Sequence, residues 1–319
     1  MALRLRLPLL VTLTAMPFVI AGILPAIGSH FWLCDLCAHA TAQTAIALCL
    51  GCIALLLIRR FGFAFFLLPF ALLASVRTAQ LFCGGEPLQT PALRAGQPLR
   101  CAAINLLVDN EDAAAVLCAC KSEHFDIITT SELTDRWVLD LAPLRAQFPH
   151  FIGKPSGIFG IGLWSRHPLR GAQVIPLGVD WAPAIRAEVD APQGTFSVLA
   201  VHLPRASLFG QAFTDNRDLA LQAIPLVLAR LPKPRVLLGD CNATRWTAAY
   251  ASMQKASGLF DTSDGAGWQP TWPTSLPSLL RIPIDQALIE PTLHLRRRWL
   301  GPHTGSDHLP ICIEFDLPQ

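Results

Sequence analysis

Three short stretches in the second half of the chain combine acids, an amide and an imidazole. They are Gly305-Ser306-Asp307-His308, Gly239-Asp240-Cys241-Asn242 and Ile284-Asp285. A hard divalent cation takes oxygen ligands, a phosphoryl oxygen takes neutral or positive hydrogen-bond donors, and an attacking water needs an oriented base. The carboxylates meet the first need, the amide and imidazole the second, and a His-Asp pair the third. These residue types therefore indicate metal-assisted attack on a phosphate ester.

Apolar runs upstream of these stretches are typical of buried β-strands that end in polar side chains. Four such runs are predicted, at 102–106, 125–132, 161–166 and 197–202. The first carries Asn105, the second ends in Glu132 and the last ends in His202. Helical patterns lie between the strands, at 111–123, 137–147, 216–231 and 247–257. Since open α/β sheets place their chemistry where strands end, these polar groups are expected to converge.

With these motifs in order, the chain resembles the endonuclease/exonuclease/phosphatase superfamily of metal-dependent phosphoesterases. It is most similar to the bacterial branch in which a few membrane helices precede the catalytic domain. The resemblance covers residues 99–315. Eight of its residues follow the family order: Asn105, Glu132, His202, Asp240, Asn242, Asp285, Asp307 and His308. It implies an α+β fold, a four-layer sandwich of two packed mixed β-sheets flanked by helices.

The resemblance also implies roles in binding. Glu132, assisted by Asn105 and Asp307, would hold the metal, Mg²⁺ or Mn²⁺. Asn242 and His202 would contact the phosphate. Taken alone, an Asn at the end of a strand is more often a turn former or helix cap than a ligand, so each assignment depends on the company of the others.

Catalytic roles follow from the same resemblance. Asp285 would orient His308, which acts as base or as transition-state stabiliser, while Asp240 positions the attacking water or is itself the base. The choice of base stays open between Asp240 and His308. Two departures from the family pattern stand beside them. Cys241 replaces an apolar aromatic, and Gln286 follows Asp285 where a histidine or tyrosine is common.

The first 82 residues are predicted to be a membrane anchor, followed by a linker at 83–98 rich in Gly and Pro and a catalytic domain at 99–319. Three apolar segments at 8–27, 40–58 and 61–82 are each about long enough to cross a bilayer. We therefore expect the catalytic domain to be tethered to the membrane and to be monomeric.

Positive charges predict the orientation. Arg4 and Arg6 precede the first segment and Arg59-Arg60 separates the second from the third, whereas the loop at 28–39 has no Lys or Arg. The positive-inside rule then places the catalytic domain outside the cytoplasm, as in a multi-pass protein of a bacterial inner membrane with a periplasmic domain.

Two of the apolar segments have alternative interpretations. The first segment could be a signal peptide with a cleavage site near Ala26-Ile27-Gly28, which leaves the topology unchanged. The third segment, interrupted by Gly62 and Pro69, could be re-entrant, which would leave the domain in the cytoplasm.

Charge argues against a tight binder of duplex nucleic acid. Residues 1–82 hold five Lys/Arg and one Asp, a net of +4, which leaves twenty Lys/Arg against twenty-two Asp/Glu, a net of −2, in the remainder. The only dense basic run, Arg296-Arg297-Arg298, is interpreted as a solvated or headgroup-facing edge.

Ten cysteines show no zinc-ribbon spacing. Most are interpreted as buried hydrophobes, including Cys101 and Cys312. The loop group of His30, Cys34, Cys37 and His39 could form a disulfide or a metal site, with incidental loop residues as the default interpretation.

The sequence therefore predicts a membrane-anchored hydrolase that acts on a phosphodiester or phosphomonoester through metal-assisted attack of water. The substrate stays open among a lipid, a small soluble ester and a nucleic acid. A nuclease acting on DNA or RNA is one alternative. The other is an inert, membrane-tethered binding or scaffold protein of the same fold, against which the clustered acids argue because they cost stability without a cation.

Overall fold

The computed structural model describes residues 2–27, 31–83, 97–206 and 210–318. Only the two ends of the predicted linker fall within these ranges. Of the four residues singled out in the loop at 28–39, His30 lies outside the described residues.

Four helices make up the N-terminal part: α1 (Ala2–Ile27), α2 (Trp32–His39), α3 (Thr41–Leu57) and α4 (Phe61–Cys83). Two of them, α1 and α4, are long and apolar enough to cross a membrane. A third span results if α3 is counted together with α2, from which it is bent by 68°. The helix α4 is continuous through Pro69. Membrane association through these helices is therefore possible.

The segment expected to be a loop between the first two apolar segments is mostly the helix α2. Cys34 and Cys37 lie on it and are free thiols. Asp35 stands in the first turn of α2 and His39 in its last. The apolar residues of α2 gave no clear period over only eight residues, which is why its sequence did not distinguish it from a loop.

Beyond the N-terminal helices, the described residues contain two six-stranded mixed sheets, which confirm the predicted fold class. The strands are β1 (Leu99–Asn105), β2 (Ile127–Ser131), β3 (His150–Lys154), β4 (Ile161–Ser165), β5 (Leu169–Leu177), β6 (Val179–Ala191), β7 (Gly194–His202), β8 (Arg235–Asp240), β9 (Phe260–Asp261), β10 (Asp285–Ile289), β11 (His294–Leu300) and β12 (Ile311–Asp316). One sheet has the order β11-β12-β1-β2-β4-β3 and the other β5-β6-β7-β8-β10-β9.

The sheets pack face to face on a shared apolar core that includes Ile127, Val198, Leu238 and Ile313. Helices cover the two outer faces: α5 (Ala113–Ser122) and α6 (Asp135–Asp140) on the first sheet, and α7 (Gln211–Leu228) and α8 (Ala248–Ser257) on the second. The apolar runs read as strands in the sequence are buried on both faces because each sheet lies between its partner and a helical layer.

Both sheets contain one parallel pair at their centre, β1 with β2 and β7 with β8. The two pairs deliver their carboxyl ends to the same edge of the sandwich. Gly239, the residue before the last of β8, cannot be replaced here, because a Cβ at this position would overlap the carbonyl of Val201 on β7. Gly239 therefore allows β7 and β8 to approach each other closely next to Asp240.

The basic run Arg296-Arg297-Arg298 is not a solvated edge along its whole length. It lies on β11, where Arg296 bonds Asp316 and Arg297 bonds Glu314 of the neighbouring strand. Arg298 is buried and donates to Gln269. The register shifts between Leu295 and Arg297, so Arg298 pairs with buried Ile313 and its guanidinium turns inward, which the interpretation of a uniformly exposed run missed.

The N-terminal helices contact the sandwich directly. Arg217 of α7 forms a two-pronged ion pair with Asp35 of α2, with both nitrogen–oxygen distances at 2.8 Å. Arg77 of α4 donates to the carbonyl of Trp246, whose indole donates back to the Arg77 carbonyl. The sandwich is thus docked on the ends of α2 and α4, and is not held by the linker alone.

Candidate active site

The strand registers bring the polar ends of both sheets together. His202 and Asp285 each stand opposite Asp240, on the two strands that flank β8. In the other sheet, Asn105 stands opposite Ser131, the residue before Glu132. Five of the eight predicted site residues therefore sit at the ends of adjacent strands.

His308 and Asp285 form the closest pair in the site. The Nδ1 of His308 lies 2.8 Å from Oδ2 of Asp285, and both side chains are buried. Burial opposes the imidazolium, but the carboxylates of Asp285, Asp240 and Asp307 outweigh it and raise the pKa of His308. These carboxylates favour the protonated form of His308, whose Nδ1 faces Asp285 and whose Nε2 lies 3.9 Å from Oδ1 of Asp307.

Asp240 is buried at the centre of the group. Its Oδ1 accepts the backbone N–H of Asn242 at 2.8 Å, and its Oδ2 accepts the amide of Asn105 at 3.1 Å. Burial, followed by repulsion from Asp285, raises the pKa of Asp240 despite the nearby charge of His308. A carboxylate with a raised pKa can accept a proton near neutral pH.

Asn105 connects the carboxylates of the two sheets. Its amide nitrogen donates to Oε1 of Glu132 at 3.2 Å as well as to Asp240, and its Oδ1 accepts the backbone N–H of Leu107. The other oxygen of Glu132 accepts the N–H of Val108 at 2.9 Å. Glu132 is thereby fixed at the mouth of the sandwich and is only half-buried.

Backbone strain concentrates at this edge. Glu132 (φ +58°), Leu107 (φ +59°) and Asn242 (φ +45°) all occupy the left-handed region, which is costly for residues other than glycine. Such strain persists where the surrounding structure enforces it, and it is common at functional sites. Leu107 and Asn242 each lie two residues after Asn105 and Asp240, and Glu132 accepts a hydrogen bond from Asn105.

His202 is neutral. Burial and the neighbouring charge of His308 lower its pKa to about 4. Its Nε2 lies 3.9 Å from Oδ2 of Asp240, and its buried Nδ1 has no hydrogen-bond partner among the described residues. Asn242 donates one amide hydrogen to the Leu203 carbonyl at 2.9 Å, and the structure shows no acceptor for its second amide hydrogen among the described residues.

Asp307 presents one oxygen that its surroundings do not satisfy. Its Oδ2 accepts the Trp272 indole N–H at 2.9 Å, whereas its buried Oδ1 has no hydrogen-bond partner among the described residues. An unpartnered, buried carboxylate oxygen is a ligand that a hard cation takes.

A second group of possible ligands is Asp240, Asp285 and His308, whose candidate atoms lie within 4.8 Å of one another. All three side chains are buried, and Nδ1 of His308 is already bonded to Asp285. A cation there would have to displace that bond, so we assign this group to proton transfer and hydrogen bonding.

Asn110 is a site-forming residue that the motif analysis missed. Its amide donates to the carbonyls of Leu106 and Thr304 at 3.1 and 3.0 Å, and it is 7% exposed. It therefore ties the segment after β1 to the segment that carries Asp307 and His308. A single Asn in a polar loop offers no sequence signal that separates this role from a turn.

The two departures from the family pattern are both inside the protein. Cys241 is buried against the outer helices of the second sheet. Gln286 is also buried and donates to the carbonyls of Ala243 and Pro283, so it braces the turn after Asn242.

The sequence matches the Endonuclease/Exonuclease/phosphatase family over residues 102–308. No curated protein matches the chain in sequence. Solved structures share the fold. An endonuclease/exonuclease/phosphatase from Beutenbergia cavernae DSM 12333 is 20% identical with a TM-score of 0.56, over 70% of this chain and 72% of that one.

Two other structures show the breadth of the fold. D. rerio TDP2, complexed with a single-stranded DNA product, is 18% identical with a TM-score of 0.59, over 69% of this chain and all of that one. Sphingomyelinase C from Streptomyces griseocarneus is 16% identical with a TM-score of 0.51, over 69% of this chain and 99% of that one. At these identities the likeness concerns the fold alone.

Proposed function

Since this chain belongs to the Endonuclease/Exonuclease/phosphatase family, we propose that it is a membrane-anchored, divalent-metal-dependent hydrolase of phosphate esters. Solved structures of this fold include hydrolases of phosphate esters, and enzymes of the family generally use divalent metal ions. The observation that carries the proposal is the buried group of Asp240, His308 and Asp285, linked through Asn105 to Glu132.

Glu132 and Asp307 would hold the cation, Mg²⁺ or Mn²⁺, with the second lone pair of the Asn105 carbonyl oxygen as a further ligand. The free Oδ1 of Asp307 and the half-buried position of Glu132 support this assignment. The bound cation supplies polarisation of the phosphoryl oxygen and neutralises the charge that develops on it.

Asp240 is the better candidate for the base. Its raised pKa suits it to take a proton from the attacking water, and its hydrogen bonds from Asn105 and Asn242 fix its orientation. His308, charged and held by Asp285, would donate from Nε2 to a phosphoryl oxygen. Neutral His202 and the free amide hydrogen of Asn242 would donate to the other oxygens.

The apolar helices support the anchor. With Arg4, Arg6, Arg59 and Arg60 in the cytoplasm, the domain docked on the ends of α2 and α4 would face the periplasm.

The substrate class separates this proposal from its alternatives. A nuclease is the second candidate, favoured by the DNA product bound to the similar structure of D. rerio TDP2. The net charge of −2 over residues 83–319 makes strong attraction of a polyanion unfavourable.

The test measures hydrolysis and metal binding in the full-length protein in lipid nanodiscs. Phospholipids, small phosphodiesters, phosphomonoesters and single-stranded DNA are offered with Mg²⁺ or Mn²⁺. We expect turnover of at least one non-nucleic ester, and an increase in melting temperature with Mg²⁺ that Glu132→Gln loses and Glu111→Gln keeps. Turnover of DNA alone would favour the nuclease, and no turnover of any ester would favour the scaffold.

A further inference from the structure

A surface loop of the sandwich exposes three leucines next to the N-terminal helices. The loop comprises residues 273–281, between the bridge at Trp272 and strand β10, and contains a short 3₁₀-helix (Ser278–Leu280). Leu276, Leu279 and Leu280 are 40%, 60% and 56% exposed. A cluster of large apolar side chains on one exposed loop marks a contact surface.

The loop is fixed to the start of α3. The side-chain amide of Gln43, in the first turn of α3, donates to the backbone carbonyls of Leu279 and Arg281 at 3.1 and 2.8 Å. The indole of Trp268 donates to the carbonyl of Ser278. The leucines are thus held at the level of the first turn of an apolar helix and do not project freely from the domain.

The lengths of the helices place this level within a bilayer. The domain reaches along α4 as far as Arg77, which exchanges hydrogen bonds with Trp246. The part of α4 before Arg77 rises about 24 Å and the part of α3 after Gln43 about 21 Å, at 1.5 Å per residue. The hydrocarbon layer of a bilayer is about 30 Å thick. A bilayer around these helices therefore extends to the level of Gln43, Arg77 and the loop.

Aromatic and basic residues at the same level suit a membrane interface. Half-buried Trp268 stacks on the buried ring of Trp246 with ring centroids 6.3 Å apart, next to Ala42 and Leu81 of the helices. Arg281 lies at the end of the loop. Tryptophan and arginine side chains favour the headgroup region of a bilayer, and apolar side chains beside them favour the hydrocarbon layer.

The same loop is connected to the candidate active site. The Thr274 backbone N–H donates to the Asp307 carbonyl at 2.9 Å, and its hydroxyl donates to the Ser306 carbonyl at 3.0 Å. Arg281 donates in turn to the Thr274 carbonyl. The segment that would meet the lipid is therefore hydrogen-bonded to the segment that carries Asp307 and His308.

We propose that residues 273–281 form a bilayer-docking loop, which inserts Leu276, Leu279 and Leu280 into the leaflet on the domain side and presents the active site to that leaflet. Resting on the proposed function, this makes the substrate a phosphate ester carried by an amphiphile of the bilayer. Because the loop adjoins the apolar helices at the level of the bilayer, the occupant of this surface is lipid.

Insertion is tested without any use of activity. An environment-sensitive fluorescent amino acid replaces Leu279 in the full chain, reconstituted in phosphatidylethanolamine and phosphatidylglycerol vesicles with brominated acyl chains. Leu139, 74% exposed on α6, is the matched control position. We expect bromine quenching at position 279 and none at 139. Equal, weak quenching at both positions would overturn the insertion, whether or not the protein is an enzyme.

The substrate class is tested by a ratio of two rates. Turnover of a vesicle-borne phospholipid is compared with turnover of bis(p-nitrophenyl) phosphate in the wild type, in Leu279→Ser/Leu280→Ser and in the control Leu139→Ser. We expect the lipid-to-soluble ratio to fall about tenfold in the double variant and to stay at the wild-type value in the control. An unchanged ratio in the double variant would contradict presentation of the site to the leaflet. Quenching at 279 in a protein that hydrolyses neither ester would instead contradict the proposed function.

Discussion

At the scale of single residues, the assignment of base and donor rests on the environments of Asp240 and His308. Both are buried, yet their pKa values rise for opposite reasons: burial and a neighbouring acid raise the pKa of Asp240, and three carboxylates raise that of His308. A carboxylate ready to accept a proton thus lies 4.0 Å from an imidazolium ready to donate a hydrogen bond. Pairs of groups with pKa values moved in this way are the usual basis of acid–base chemistry.

Asp285→Asn tests that division of labour. Asp285 is the leading favourable influence on the charged form of His308, so its loss lowers the pKa of His308. If protonated His308 is required, activity disappears as pH rises through that pKa. The alkaline limb of the kcat/KM profile should therefore move to lower pH, by about one to two units. A shift of the acid limb to lower pH, with the alkaline limb unchanged, would make His308 the base.

Asn110 is predicted to hold the two halves of the site together. Asn110→Ala removes three hydrogen bonds and leaves the carbonyls of Leu106 and Thr304 without their donor. We expect a loss of about 1–3 kcal/mol in unfolding free energy and a fall in kcat. Asn110→Asp keeps the acceptor used by the Asp112 N–H but not the donors, so it should be equally damaging. Wild-type stability in both variants would refute this role.

Some of these residues could be predicted from sequence and others could not, for a physical reason. Asp240 and Asp285 stand at strand ends and His308 in the loop before β12, all in recognisable order, and strand ends converge in such sheets. Asn110, Trp272 and Thr274 act through contacts with segments far away in the chain, and nothing in their own neighbourhoods indicates those partners. Sequence reasoning finds groups that carry chemistry more readily than groups that position them.

At the scale of elements, one ion pair, between Asp35 of α2 and Arg217 of α7, docks the first helix on the second. Both side chains are buried. His39 lies 3.3 Å from the same guanidinium, and Asp218 accepts from it as well. Burial favours the neutral acid, but hydrogen bonds from His39 and Arg217 prevail and lower the pKa of Asp35 to about 2. The helix expected to be an incidental loop is thus an electrostatic anchor for the domain.

Removing one partner of this pair should be costly. Asp35→Asn leaves Arg217 buried with less compensation, so we expect a loss of about 3 kcal/mol in unfolding free energy, measured by thermal or denaturant unfolding in nanodiscs. Asp35→Asn/Arg217→Gln should recover part of that loss. Asp135→Asn, in the first turn of α6, is the control. Equal effects at Asp35 and Asp135 would mean that the pair does not hold the helix.

The same pair predicts how docking responds to acid. Because the folded pKa of Asp35 lies below its ordinary value of about 4, the stabilisation is fully present above that value. It is lost as pH falls from about 4 towards 2. Limited proteolysis across this range should show wild-type protection fading, whereas Asp35→Asn should show no such step.

Regular elements were predictable where a period was sustained. The helical pattern at 247–257 corresponds to α8, and the one at 216–231 to α7, which begins five residues earlier. The pattern at 137–147 is in fact α6 followed by a short 3₁₀-helix (Ala142–Ala146), because Pro143 interrupts the helical ladder. Boundaries depend on caps and tertiary contacts that a periodic pattern does not contain.

At the scale of the whole molecule, apolar helices and sandwich form a continuous body. Backbone N–H groups of Gly265 and Gly267 donate to the carbonyls of Gln80 and Leu81 at the end of α4. The Gly- and Pro-rich composition at 83–98 predicted a tether, which is a local property of the chain. Direct docking depends on contacts between residues more than 160 positions apart, and the local sequence contains no signal of them.

The orientation across the membrane is a prediction for the complete protein. A periplasmic reporter fused after Gln319 should be active and a cytoplasm-dependent reporter silent, because the arginines at the start of α1 and before α4 stay inside. Arg59→Glu/Arg60→Glu, which removes the positive charge between α3 and α4, should weaken this preference. The reverse reporter pattern in the wild type would mean that α4 does not cross the membrane.

The most direct test of the account compares the wild type with Asp240→Asn in nanodiscs, at saturating Mg²⁺, on the phosphate ester that the wild type turns over fastest. Removing the base should lower kcat by about 10²-fold or more while the melting temperature and the Mg²⁺ response persist. Wild-type turnover in Asp240→Asn, with its fold intact, would contradict the central claim that this buried carboxylate drives hydrolysis.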